Sequence, residues 1–370
     1  MTGRPFVLLT ILALSAPVSL RAEDGMLAGA PLPDAEFRGV NDTARGLAGL
    51  TPIDEGATWT KAPEWTSYVD WIDGRWSYIQ RVRLNAMHAW AEGSLSSVDS
   101  KTVFYPFSGP DFLYANTFFP DSHYMVMAGL EPVGTLPDLG KLQQEGQLGP
   151  YLADVKNSLF TILAASFFKT KDMKGDFNNA LVDGLLPDIA FFLARQGYGI
   201  DSLQYVTLRG DGTLRAGGSS GVQIGYYKGD RDDIHYLLYL QTDLGNDGVA
   251  HSGFTELMHR LGPGVTYLKA ASYLLYDDYF SRIRDAILDN STAVVEDDSG
   301  IPLHYFKPAQ WDIYAYGNYT GPIPLFKDKN QPDLAAFYAA NPHPPLSFGS
   351  GYKFVAEKSS LLVAKKKSGG

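Results

Sequence analysis

Val103–Glu131, VFYPFSGPDFLYANTFFPDSHYMVMAGLE, is the stretch around which the rest of the chain is arranged. It reads as an apolar strand, a tight turn at Ser108-Gly109-Pro110, a short helix, and a second apolar strand ending on the carboxylate of Glu131. Two strands joined through a helix predict a βαβ unit, the kind of unit that forms the middle of a sheet. The turn sets the Ser108 hydroxyl and the Asp111 carboxylate beside the free N–H groups of a helix start. Chemistry is to be sought there first.

On the N-terminal side, Trp65, Val69, Ile72, Trp76, Ile79, Val82, Ala86 and Ala89 recur at three or four residues. That spacing predicts a long amphipathic helix over 64–92, opened by Pro63, stopped by Gly93 and broken, if anywhere, at Gly74. Three of its tryptophans, at 65, 71 and 76, fall close together. Their helical spacing favours core packing over a carbohydrate platform. Residues 23–63 are rich in Gly, Pro and Ala without a period, and predict an extended arm.

Residues 1–22 have the form of a secretory leader: Arg4, the apolar run Phe6–Leu14, and a small-residue end at Ala22. The chain has no cysteine, so no disulfide supports the fold. Export without disulfides fits a bacterial periplasm or the medium. Loss of Arg4 and Arg21 with the leader makes the formal charge of −10 two units more negative. An acidic chain without a basic stripe is a poor partner for nucleic acid. Its longest later apolar run, Ser158–Phe168, is too short for stable membrane insertion.

On the C-terminal side, a polar connection over 136–150 leads to predicted helices at 151–168 and 185–196. Leu203–Leu208, Gly221–Tyr227 and Ile234–Gln241 are apolar or aromatic runs split by Gly/Asp turns, as in an antiparallel meander. Three helices are expected next: one capped by Ser252, a second over Val265–Tyr276, a third over Tyr279–Leu288. Strands at 292–295, 311–316 and 360–364 and a helix at 332–340 complete the pattern. The fold class is α/β or α+β, a mixed parallel and antiparallel central sheet with flanking helices. It forms one compact domain over 64–370. Ala164-Ala165-Ser166-Phe167 echoes Ala270-Ala271-Ser272-Tyr273, which raises pseudo-symmetric halves at 64–200 and 201–364.

For Ser108 the strand–turn–helix context is that of a nucleophile elbow, but PFSGP is not G-x-S-x-G. The literal match, Gly217–Gly221, follows a polar loop and precedes a strand, as a hairpin turn does. A helix-capping hydroxyl is the plainer role for Ser108. Carboxylates make the stronger case. Asp111, Glu131, Asp243, Asp297 and Asp298 fall at strand ends, where α/β sheets bind ligands. Two of them with split pKa values would act as acid and base on a glycosidic bond. In Glu296–Pro302, EDDSGIP, two carboxylates and a hydroxyl suit Ca²⁺ or a sugar, or simply a type I turn.

Seven scattered histidines show no metal-binding spacing, DLGNDG at 243–248 fails as an EF-hand, and no nucleotide motif is present. No cofactor or metal is therefore expected. The sequence points to an exported soluble hydrolase of glycan-type or cell-envelope material. Its expected catalytic groups are Asp111, Asp243, Asp297 and Ser108, and its expected contacts Tyr105, Tyr114, Glu131, Asp298 and Trp311. The competing expectation is a non-catalytic periplasmic binding or scaffold protein, whose aspartates are caps and turns. Neither substrate nor oligomeric state is encoded in any motif.

Overall fold

The computed structural model describes residues 26, 27, 29–167, 181–341 and 343–367. The leader expected at 1–22 lies outside them. Among the described residues no helix is long and apolar enough to cross a membrane.

The described strands are β1 (Thr102–Pro106), β2 (Tyr124–Gly129), β3 (Gly199–Leu208), β4 (Leu214–Ala216), β5 (Gly221–Tyr227), β6 (His235–Gln241), β7 (Gly264–Leu268), β8 (Ser291–Asp297), β9 (Trp311–Gly317) and β10 (Ser360–Lys366). They form one mixed sheet in the order β4-β3-β5-β6-β2-β1-β7-β8-β10-β9. Its centre, β6-β2-β1-β7-β8, is parallel, and both flanks are antiparallel. The βαβ unit lies in the middle, as its sequence implies, and Gly217–Gly221 is the turn between β4 and β5.

The helices are α1 (Asp34–Leu47), α2 (Pro63–Ile79), α3 (Asn85–Ser94), α4 (Phe112–Phe118), α5 (Leu139–Gln144), α6 (Leu148–Ala165), α7 (Leu186–Arg195), α8 (Asn246–Ser252), α9 (Phe254–Leu261), α10 (Ser281–Asn290) and α11 (Pro332–Ala340). Side chains on one sheet face, Val103 and Tyr105 among them, pack with α1, α2, α4, α6 and α7. Those on the other, such as Phe104 and Val126, pack with α8, α9 and α10. The alternation follows from the two-residue period of a strand.

Three segments differ from expectation. The arm at 23–63 contains α1, whose buried face is Asn41, Ala44, Gly46 and Leu47. Asn41 bonds both the N–H and the carbonyl of Ile200 at 2.8 Å. A Cβ on Gly46 would lie 2.5 Å from Leu139 and 2.6 Å from Trp59, so glycine permits the contact. The long helix at 64–92 does not break at Gly74. It carries a π-helical turn at Gln80–Leu84 instead. The extra residue of that turn shifts the buried face by one position: Val82 is exposed and Arg83 is buried.

The third difference matters most. Val265–Tyr276 is not a helix. Gly264–Leu268 is the strand β7, next to β1, and a 3₁₀ turn over Ala271–Tyr276 follows. A parallel strand covered on both faces has no polar alternation, so five buried residues in a row carry no strand period. Ser252 closes α8 while its hydroxyl accepts the N–H of Phe254 at 3.3 Å at the start of α9, and Gly253, with a φ of 77°, stands between the two helices. The four-residue echo falls at unlike places, Ala164-Ala165 ending α6 and Ala271-Ser272 starting the 3₁₀ turn.

Candidate functional site

From β1 the chain moves through α4 to β2 on one side, whereas β7 lies on β1's other side and leads through α10 to β8. The point where connections diverge is the crevice at which open α/β sheets bind ligands, outside the carboxyl ends of the strands. A cavity of about 120 Å³ is found there. Its polar lining is Ser108, Asp111, Glu131, Thr242, Asp243 and Lys269. Its apolar lining includes Phe107, Leu130, Leu244, Leu274 and Phe280.

Both strands at the divergence end in strained backbone. Phe107 has a φ of 60° and Ala270 a φ of 58°. For a side-chain-bearing residue each conformation costs about 1–3 kcal/mol, and the surrounding fold must impose it. Gly109, at φ 53°, lets the turn run on beside Glu131. At Gly129 a Cβ would sit 2.6 Å from the Glu131 carboxylate, so the missing side chain makes room for it. The Glu131 carbonyl accepts the Tyr239 hydroxyl at 2.9 Å.

Asp111 caps α4 by accepting the Tyr114 N–H at 3.2 Å. It also accepts the Tyr105 hydroxyl at 2.9 Å and forms an ion pair with Lys269. Both charged side chains are 2% exposed. Burial pushes the Asp111 carboxyl above its usual range, against the pull of Lys269. Burial likewise draws the Lys269 ammonium below its usual range, against the pull of Asp111. The two shifts favour the same exchange, a proton moving toward the carboxyl.

Behind this pair, the Lys269 Nζ sits 4.0 Å from the centre of the Tyr114 ring. The Tyr114 hydroxyl accepts from Arg83 at 2.7 Å. Burial pushes that phenol up to about 12, partly offset by Arg83. The π turn therefore aims Arg83 into the site. In sequence Arg83 looks like a polar residue of a solvated helix face, and nothing in its spacing marks it.

Lys269 was hidden differently, by the helical reading of β7. Its one visible signal is position, a lone basic residue closing the apolar run VTYL.

The remaining expected residues divide. Asp297 lies near Lys269 without lining the cavity. Its Oδ2 accepts the Ala270 N–H at 3.2 Å and its Oδ1 the Ser299 N–H at 2.9 Å. Burial, with Asp298 beside it, raises the Asp297 carboxyl to about 6. Asp298 pairs with Lys353 at 2.9 Å and accepts the Tyr273 hydroxyl at 2.7 Å. Asp243 lines the cavity but is exposed, its Oδ1 bonded to the N–H of Gly245 at 2.8 Å. The Ser108 hydroxyl donates to the Gly109 carbonyl at 3.0 Å, and no histidine lines the cavity among the described residues. The Ser108 hydroxyl is thus turned to backbone carbonyls and not to a histidine base. Trp311 is far from the crevice in sheet order, buried on the edge strand against Phe306, and is not a contact. Among the described residues, no group of three or more His, Asp or Glu side chains is placed to hold a metal ion.

No family model matches this chain, and no curated protein matches it in sequence. Function has to be argued from the crevice alone. Of the carboxyl groups expected at strand ends, Asp111 and Glu131 are those both buried and brought to one cavity. They differ in what surrounds them. Asp111 is ion-paired with a lysine, whereas Glu131 stands on the β2 side across Gly109 and Gly129.

Proposed function

We propose that the protein is an exported hydrolase of glycan-type or cell-envelope material, acting through Asp111 and Glu131. The observation that supports it is the meeting of these two buried carboxyls, with Lys269, in one cavity at the sheet's point of divergence. Asp111, held toward its protonated form, gives a proton to the leaving oxygen of the scissile bond. Glu131 takes a proton from the attacking water, whose oxygen forms the new bond to carbon. Glu131 then releases its proton to bulk water and the Asp111–Lys269 pair takes one up, which restores both groups for the next turnover. Export rests on the leader-like residues 1–22.

The test is turnover of aryl glycosides and isolated envelope glycans by the purified chain, beside Glu131→Gln and Asp111→Asn. Loss of one acid–base group is expected to cost about 10²–10⁴ in rate. Thermal melts identify any variant that fails to fold. Absence of turnover, or variants as active as the parent, overturns the proposal. One observation favours a non-catalytic binding protein instead: Asp111 already accepts from Lys269, Tyr105 and the Tyr114 N–H. In that case ligand binding survives in Glu131→Gln and no product forms.

A further inference from the structure

The cavity is polar at its floor and apolar toward solvent. Its mouth carries Leu130 and Leu274, 47% and 37% exposed, beside Phe107 and Phe280. The two rings meet edge to face at 5.8 Å. Tyr279, half exposed, packs edge to face on Phe280 at 5.2 Å and extends the collar. Single exposed leucines need no explanation, but several apolar side chains around one opening do. Phe107 adds a second, independent sign. A bulky residue at positive φ is an outlier, and here that strained backbone holds an aromatic ring at the mouth.

We infer that the substrate is an amphiphile, with its polar head on the Asp111–Glu131 floor and an alkyl or acyl chain along this collar. The inference rests on the hydrolase reading for the head group and goes beyond it in the chain. The exposed apolar side chains lie at the opening, so the chain lies on the rim. A free amphiphile fits better than an anionic membrane surface. The protein carries a formal charge of −10, and the exposed charge among the lining residues is the acidic Asp243.

The experiment compares an n-octyl glycoside with the matched methyl glycoside by calorimetric titration. The parent, Leu130→Asp, Leu274→Asp and the distant control Leu325→Asp are each titrated. Leu325 is 75% exposed and outside the cavity, so its variant reports the bare effect of an added surface charge. Burial of a few methylenes predicts at least about tenfold tighter binding of the octyl compound. That preference should collapse toward unity in Leu130→Asp and Leu274→Asp, with unchanged melting temperature, and persist in Leu325→Asp. Equal affinity for the two glycosides, no binding of either, or a preference indifferent to the collar overturns the inference. Failures of the two proposals are distinguishable. Hydrolysis that needs Glu131 but ignores chain length leaves the hydrolase and removes the amphiphile. Collar-dependent octyl binding without any hydrolysis does the reverse.

Discussion

Asp111 and Asp188 are the same residue type at nearly the same depth, both buried at the start of a helix. Asp111 faces a cavity and has a lysine, a phenol and a backbone N–H to accept from. Asp188, in the first turn of α7, accepts the Ser158 hydroxyl at 2.9 Å, and its other oxygen has no partner among the described residues. Burial without a cation raises the Asp188 carboxyl to about 7. Depth alone thus pushes a carboxyl in the core toward its neutral form. Depth together with a counter-ion and an opening produces a buried ion pair that lines a cavity. The second combination is what makes Asp111 a candidate for chemistry.

The contrast breaks most visibly at Lys269. Lys269→Ala leaves Asp111 buried without its cation and is expected to cost about 3–5 kcal/mol, read from urea unfolding. Adding Asp111→Asn to it should recover part of that loss, because no stranded charge remains. A Lys269→Ala protein as stable as the parent would show that the pair is not what holds Asp111.

Asp188 gives the next effect, with a pH signature. Its folded pKa lies above the unfolded one, so the folded state keeps a proton that the unfolded state releases. Stability from this group is intact below the ordinary carboxylate range and is lost as pH rises toward about 7. Asp188→Asn removes the loss. It should gain a few kcal/mol, on the order of 2–4, at pH 8 and almost nothing at pH 4. Equal gains at both pH values would contradict the assignment. A smaller effect is expected of Arg83→Met, about 1.5–3 kcal/mol for a buried hydrogen bond from a charged donor, with a shift in the Tyr114 ring resonances. Asp243→Asn, exposed and able to keep its turn bond, should change stability by less than about 0.5 kcal/mol. A larger change would mean that Asp243 has a structural partner.

Much of this architecture is legible in local chemistry. The βαβ unit, the antiparallel β3-β5-β6 ladder, α11 at its observed bounds and the Asp111 cap each depend on neighbours a few residues apart. Period, turn residues and capping groups report such neighbours directly. The candidate site was legible by half. Ser108, Asp111, Glu131 and Asp243 do line the cavity, as residues at strand ends should. Lys269, Arg83 and the apolar collar were not visible, and Trp311 lies outside the cavity.

The division has one physical cause. Sequence alone determined what each segment can do with its own turns and faces: where strands start, which carboxylates sit at strand ends, and that no disulfide holds the chain. Only the tertiary structure decided that β7 lies beside β1, because a strand buried on both faces carries no local period. That adjacency joins Lys269 to Asp111, residues 158 positions apart in the chain. Likewise the π turn, a shift of one residue, turns Arg83 from solvent to Tyr114. Ionic partners are chosen by three-dimensional proximity and low local dielectric. Neither is written in the spacing of residues along the chain.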